Sequence, residues 1–184
     1  DGVAVCSVGM RVVNIGMTPL IAMSTAVISV SGAAFGAKAF QKIEVAHLYS
    51  VKAGILVALL LSGVTYMFAP QIAAVFSYSE SSADLGPDIV TFLRVMAFFY
   101  PAIPLGIFAA AVFQGVGRGK SALAISVLRT IVFNILLVTL FAVWLGWGLP
   151  GVWWGMVSGN LLGDTIGFIW VRSYVGNLVS KAVY

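Results

Sequence analysis

Chemistry within this chain has to come from a handful of ionisable groups, because five of them fall inside stretches that are otherwise apolar: Arg11, Lys52, Arg94, Arg129 and Asp164. A charge in hydrocarbon is costly, so each marks either function or a pairing that holds a helical bundle together. Arg129 and Asp164 lie on consecutive antiparallel helices. Counting about 1.5 Å per residue from Ser121, and back from Val175, places both roughly 10 to 16 Å from the same membrane edge. They are expected to form a buried ion pair, structural in the first place, with a coupling role as the alternative. Lys52 and Arg94 stand about two turns from their nearer interfaces and lean toward them, which predicts snorkelling. Arg11 lies on a helix read as running outward, so its side chain leans toward the bilayer middle and should face a cavity or a carboxylate elsewhere.

Softer chemistry surrounds these charges. Asn14, Asn134, Asn160 and Gln114 are suited to bridging helices, and Asn14 and Gln114 stand nearest the span richest in proline. Met17, Met23, Met96, Phe98, Phe99 and Tyr100 offer an adaptable apolar and π surface of the kind that holds bulky cations, or equally well a packed core.

Catalysis finds little support. An intramembrane serine protease needs a Gly-x-Ser-Gly turn and a histidine on another helix. Met156-Val157-Ser158-Gly159 lacks the first glycine, and the only histidine, His47, reads as part of a turn. One His and one Cys cannot build a metal cluster, so no cofactor is expected. The glycines of Gly115-Val116-Gly117-Arg118-Gly119 do not follow a strand, so they match a phosphate loop poorly. Cys6 has no disulfide partner.

The elements that must position these groups are transmembrane helices. Hydrophobic residues make up 61% of the chain and charged residues 9%, against about 25% charged in soluble domains. Apolar runs extend from about Thr18 to Gly36, Val45 to Ala69, Ile89 to Val116, Ser121 to Gly146 and Val152 to Val175. Each is long enough to cross roughly 30 Å of hydrocarbon. The preceding run, Val3 to Met17, is too short to span and reads as the end of a cut helix, so the chain reads as a fragment with five full spans plus the end of a sixth. Phe99 to Lys120 holds Pro101 and Pro104 inside its apolar run, which predicts a bent helix beside a cavity.

Pro19-Leu20 precedes Gly32, Gly36 and Lys38 much as Pro104-Leu105 precedes Gly115, Gly117, Arg118 and Lys120, the pattern of a duplication inside a transporter lobe or of chance recurrence. Lys38, Lys42, Arg118, Lys120, Arg172 and Lys181 fall on one side, and Glu80, Asp84 and Asp88 on the other. The basic side and the C-terminal Tyr184 should therefore be cytoplasmic in a multi-pass cell-membrane protein. The net charge of +4 reflects those loops and implies no nucleic-acid partner. Trp144, Trp147, Trp153 and Trp154 read as an interfacial belt on the opposite side.

Pro19, Gly32-Ala33-Ala34-Phe35-Gly36-Ala37-Lys38, Phe76-Ser77-Tyr78-Ser79, Arg94, the Pro101 and Pro104 helix with Phe113-Gln114-Gly115-Val116-Gly117, Leu128-Arg129 and Trp153-Trp154-Gly155 occur in an order that carries a likeness. Together they resemble the C-terminal lobe of a multidrug and toxic compound extrusion (MATE) transporter, nearest the archaeal and DNA-damage-inducible branch. The likeness covers nearly all of residues 1–184, from the end of the family's seventh helix through its twelfth. It implies one lobe of a two-lobe antiporter that exports cationic or amphipathic compounds against H⁺ or Na⁺. The implied partners are the N-terminal lobe, those substrates and the bilayer.

Arg11, Asn14, Met17, Met23, Phe99, Tyr100, Pro101, Pro104 and Gln114 would then line the substrate cavity. One branch carries a cation-binding acid in the tenth helix, where Tyr100-Pro101-Ala102-Ile103-Pro104 has none. That points to an ion site in the N-terminal lobe. The alternatives are a flippase for a lipid-linked substrate, which needs more cationic residues than Arg11 alone to hold a pyrophosphate, and a non-transporting membrane assembly subunit.

Overall fold

The computed structural model of the protein describes residues 2–76 and 86–182. The Ser77-Tyr78-Ser79 part of the likeness, Glu80, Asp84 and Tyr184 lie outside the described residues. Among the described residues every regular element is helical, as so apolar a chain requires where water cannot satisfy the backbone. The helix α1 spans Gly2–Gly36, α2 spans Phe40–Met67, and a short α3 follows at Ala69–Phe76. Then α4 (Gly86–Ala97) continues through a tight turn at Tyr100–Ala102 into α5 (Ile103–Gly115). A fourth rod runs from α6 (Gly119–Val127) through α7 (Asn134–Thr139) to Trp144, and α8 (Gly148–Ala182) is the fifth. Four of these rods, all but α8, are long and apolar enough to cross a membrane. The chain is a polytopic all-α membrane bundle.

One boundary differs from expectation. Val3 to Met17 is no separate half helix; it continues without a turn into the run from Thr18, so the described residues hold five rods and not five plus the end of a sixth. Pro19 lies inside this one helix. Its ring sits on the exposed side of α1, where it needs no room. The hydroxyl of Thr18 folds back to donate to the Asn14 carbonyl at 3.3 Å, beside the Ile15 carbonyl that Pro19 leaves free. Arg11 is re-placed as a consequence. It stands 25 residues, about 38 Å, from the basic end of its helix, beyond a core of roughly 30 Å, and is exposed. Its side chain leans toward the near surface and not toward the middle.

The rod α4–α5 sits at the centre, with Phe108, Ala109, Ala111, Val112 and Phe113 fully buried. Beside it α1 runs parallel in constant register. Gly9 faces Phe92, Gly16 faces Tyr100 and Gly32 faces Gly115, separations of 83, 84 and 83 residues. The repeat that links Pro19 to Pro104 therefore falls on two adjacent helices of the same direction. Both also end alike. At one terminus Ala39 N–H donates to Ala34 and Lys38 N–H to Phe35; at the other Arg118 N–H donates to Phe113 and Gly117 N–H to Gln114. The left-handed residue of this cap is Gly117 (φ 76°) in α5 but Lys38 (φ 55°) in α1.

Candidate functional site

The bend in the central rod begins with two missing donors. Pro101 has no N–H to offer the Ala97 carbonyl, and Pro104 none for the Tyr100 carbonyl. The backbone tightens in response: Phe99 N–H donates to Met96 at 2.9 Å, Ala102 N–H to Phe99 at 3.1 Å, and Ile103 N–H to Tyr100. The Ala97 carbonyl is claimed from outside, by the Ser62 hydroxyl of α2 at 2.7 Å. A neighbouring helix thus supplies the bond that proline removed. Pro104 itself is buried against Gly54 of α2, whose missing side chain gives it room.

Around the bend, Tyr100 is completely buried in the notch at Gly16, and its hydroxyl has no hydrogen-bond partner among the described residues. Leu20 and Ile103 complete this cluster, with Met17, Met23 and Phe99 half-buried against it. The structure therefore brings Met17, Met23, Phe99, Tyr100, Pro101 and Pro104 together.

Arg11 and Asn14 sit elsewhere, on the outward face of α1. That face is a polar stripe of Ser7, Arg11, Asn14, Thr18, Thr25 and Ser29, all exposed and all within one side of the helix. The hydroxyls of Thr18, Thr25 and Ser29 are spent on carbonyls of their own helix. Open donors on the stripe come chiefly from Arg11 and Asn14. Gln114, exposed near the basic end of α5, lies level with Ser31 and so about 30 Å along the bundle from Arg11; it joins neither group.

On the far side, Arg129 Nη1 donates to Asp164 Oδ1 at 3.1 Å, with the Asp164 side chain fully buried and that of Arg129 20% exposed. The carboxylate rests on Gly106, two residues past Pro104, where any Cβ would collide with it. Asp164 thus touches both the fourth rod and the bent one.

The pair sits within a glycine ladder that sequence reasoning passed over. Gly151, Gly155, Gly159, Gly163 and Gly167 recur every fourth residue of α8, facing Phe141, Val138, Phe133, Arg129 and Ile125. An added Cβ would lie 2.6 Å from Val138 Cα at Gly155 and 2.7 Å from Arg129 Cα at Gly163. Small residues at this spacing let two backbones meet. The facing rod widens into π turns at Leu128–Phe133 and Leu140–Trp144. Their extra residues offset the drift of a four-residue row around an α-helix and keep the contact in step.

Other expectations are corrected. His47 is not in a turn: it is the eighth residue of α2, buried, with its ring 5.6 Å from Phe168. Trp153 is not part of a belt but is buried edge-on against Phe92, whereas Trp144, Trp147 and Trp154 are exposed. Asn160 donates to Met156 in its own helix, so that bond bridges nothing. No group of three or more potential metal ligands occurs among the described residues.

Comparison with known proteins adds an independent line. The MatE family profile matches residues 1–140. A MATE transporter crystallised in complex with MaL6 is 35% identical with a TM-score of 0.94, the match covering 97% of this chain and 40% of that one. Multidrug resistance MATE family transporters of the MOP superfamily are similar in the inward-facing state (34% identity, TM-score 0.92, 96% of this chain and 40% of that one). The likeness holds in the outward-facing state too (36%, 0.93, 97% and 39%). The chain therefore spans about 40% of the length of these structures. No curated protein matches the sequence.

Proposed function

Because the chain belongs to the MATE family, we propose that it forms the C-terminal lobe of a secondary active multidrug antiporter, exporting cationic or amphipathic compounds in exchange for H⁺ or Na⁺. The polar stripe of α1 carries this reading. A membrane helix with Asn14, Thr18, Thr25 and Ser29 exposed along one side, and Arg11 beyond the hydrocarbon at its outer end, is suited to a water-filled cleft more than to lipid. The stripe would face the N-terminal lobe across that cleft, with Met17, Met23 and Phe99 giving apolar surface near the bend.

Transport would proceed by rocking one lobe against the other, a reading supported by relatives solved in inward-facing and outward-facing states. The bend at Pro101 and Pro104 would adjust the wall as the lobes move. Asp164 is sealed between Arg129 and Gly106, which supports a structural role for the pair and an ion-coupling acid in the other lobe. The basic turns would lie in the cytoplasm.

In the complete transporter, Pro101→Ala combined with Pro104→Ala is expected to lower drug efflux with membrane abundance intact. Efflux equal to the parent's would remove the bend from the mechanism. Asn14→Leu on the stripe should raise the half-saturating drug concentration, while Asn177→Leu, exposed near the end of α8, should not.

A further inference from the structure

The Ala97 carbonyl and the Ser62 hydroxyl that serves it also form the wall of an open groove, away from the stripe of α1. Leu59, Ser62, Gly63 and Tyr66 on the last turns of α2, with Ala97 at the end of α4 and Phe98 just past it, enclose about 340 Å³. The groove opens at the bundle surface, where Leu59, Tyr66 and Phe98 are all about half exposed. From Leu59 to Tyr66 it runs about 10 Å, less than two helical turns, which is too short to seat another helix.

Its two ends differ in chemistry. The deeper end is hydrocarbon. At the other, the Arg94 guanidinium lies over the Tyr66 ring, 5.4 Å from the centroid, and Phe98 stacks obliquely on Trp154 at 6.1 Å. A guanidinium held over a ring keeps N–H groups free to donate elsewhere. Arg94 has no hydrogen-bond or ion-pair acceptor among the described residues. An arginine fork with an aromatic collar, above an apolar slot parallel to the helices, matches an amphiphile with an anionic head and one straight tail. A cationic drug would meet Arg94 as a like charge.

The geometry points to a binding site for an anionic phospholipid, its phosphate taken by Arg94 and one acyl chain laid along the groove against the bend. Planar guanidinium pairs with a phosphate in two parallel bonds, which a zwitterionic head weakens through its own cation.

The test is native mass spectrometry of the complete transporter in detergent, titrated with phosphatidylglycerol or phosphatidylcholine. Phosphatidylglycerol should bind more tightly. Arg94→Gln should weaken it about tenfold, the loss of a charge-assisted contact, with phosphatidylcholine unchanged. Gly63→Leu places a side chain where an added Cβ meets nothing within 4 Å, so it should fill the groove without disturbing the fold and weaken both lipids. Unaltered thermal midpoints in lipid-free detergent establish that the variants fold; should Arg94→Gln fall short, Arg94→Lys, which keeps the charge without the fork, should lose part of the preference. The proposal is overturned if the substitutions at Arg94 leave the preference for phosphatidylglycerol intact, if Gly63→Leu leaves its binding unchanged, or if glycerophosphate competes as well as the lipid.

Discussion

The bundle is joined in two different ways on its two sides. Where α1 and α2 meet the central rod, bulky side chains sit in glycine notches, two prolines strip the backbone of donors, and one carbonyl depends on a hydroxyl from another helix. Where α8 meets the fourth rod, backbone lies on backbone at Gly151, Gly155, Gly159 and Gly163, and a buried ion pair ties the seam. The first side has joints that a small rotation can open one at a time. The second resists sliding, because every step would drive carbonyls and α-carbons together. Compliance is thus concentrated beside the polar stripe of α1 and withheld from the opposite seam.

The largest test falls on the seam. Arg129→Ala or Asp164→Ala alone should cost about 3 to 5 kcal/mol by stranding a buried charge, and the double substitution should recover most of it. Denaturation in detergent would measure both, and a double variant as weak as the singles would mean the two residues do not act as a pair. Gly155→Leu with Gly159→Leu should cost about 3 kcal/mol through overpacking, whereas Gly36→Leu, with open space around it, should cost nothing measurable. Equal folded yield for the two would erase the contrast between the sides. On the compliant side, Ser62→Ala should cost only about 1 to 2 kcal/mol. It should nevertheless speed hydrogen exchange through Ala97 to Ile103 more than in α8, and uniform exchange would place the weak point elsewhere. Last, Lys38→Gly should stabilise by about 1 kcal/mol, because glycine carries no penalty at a left-handed cap. A thermal midpoint that fails to rise would count against that cap.

Much of this architecture is legible from composition and spacing. Run lengths mark the rods because hydrocarbon thickness sets them, and Pro101 with Pro104 marks the bend because proline removes donors wherever it stands. Counting residues placed Arg129 and Asp164 at one depth, and the structure has them 3.1 Å apart. The split at Thr18 took a run too short to span for the end of a separate helix, whereas the helix continues from Gly2 to Gly36 through Pro19 on its exposed side. Arg11 was aimed the wrong way for the same reason, since direction follows from which run it belongs to. The glycine ladder was legible as Gly151-x-x-x-Gly155-x-x-x-Gly159-x-x-x-Gly163-x-x-x-Gly167 but went unread. The bond from Ser62 to Ala97 spans 35 residues and depends on how α2 packs, so no local pattern announces it.

At the crossing of Gly32 with Gly115 the backbones of α1 and the central rod meet directly, an added Cβ at Gly115 lying 2.5 Å from the Ile28 carbonyl oxygen and 3.1 Å from the Gly32 nitrogen. This crossing stands near one end of both helices. Gly9 lies 23 residues up, an arm of about 34 Å. With the fulcrum so far down, a tilt of about 5° sweeps the Arg11 end through roughly 3 Å while the fulcrum stays still. Leverage, not local flexibility, sets how far the striped helix can travel.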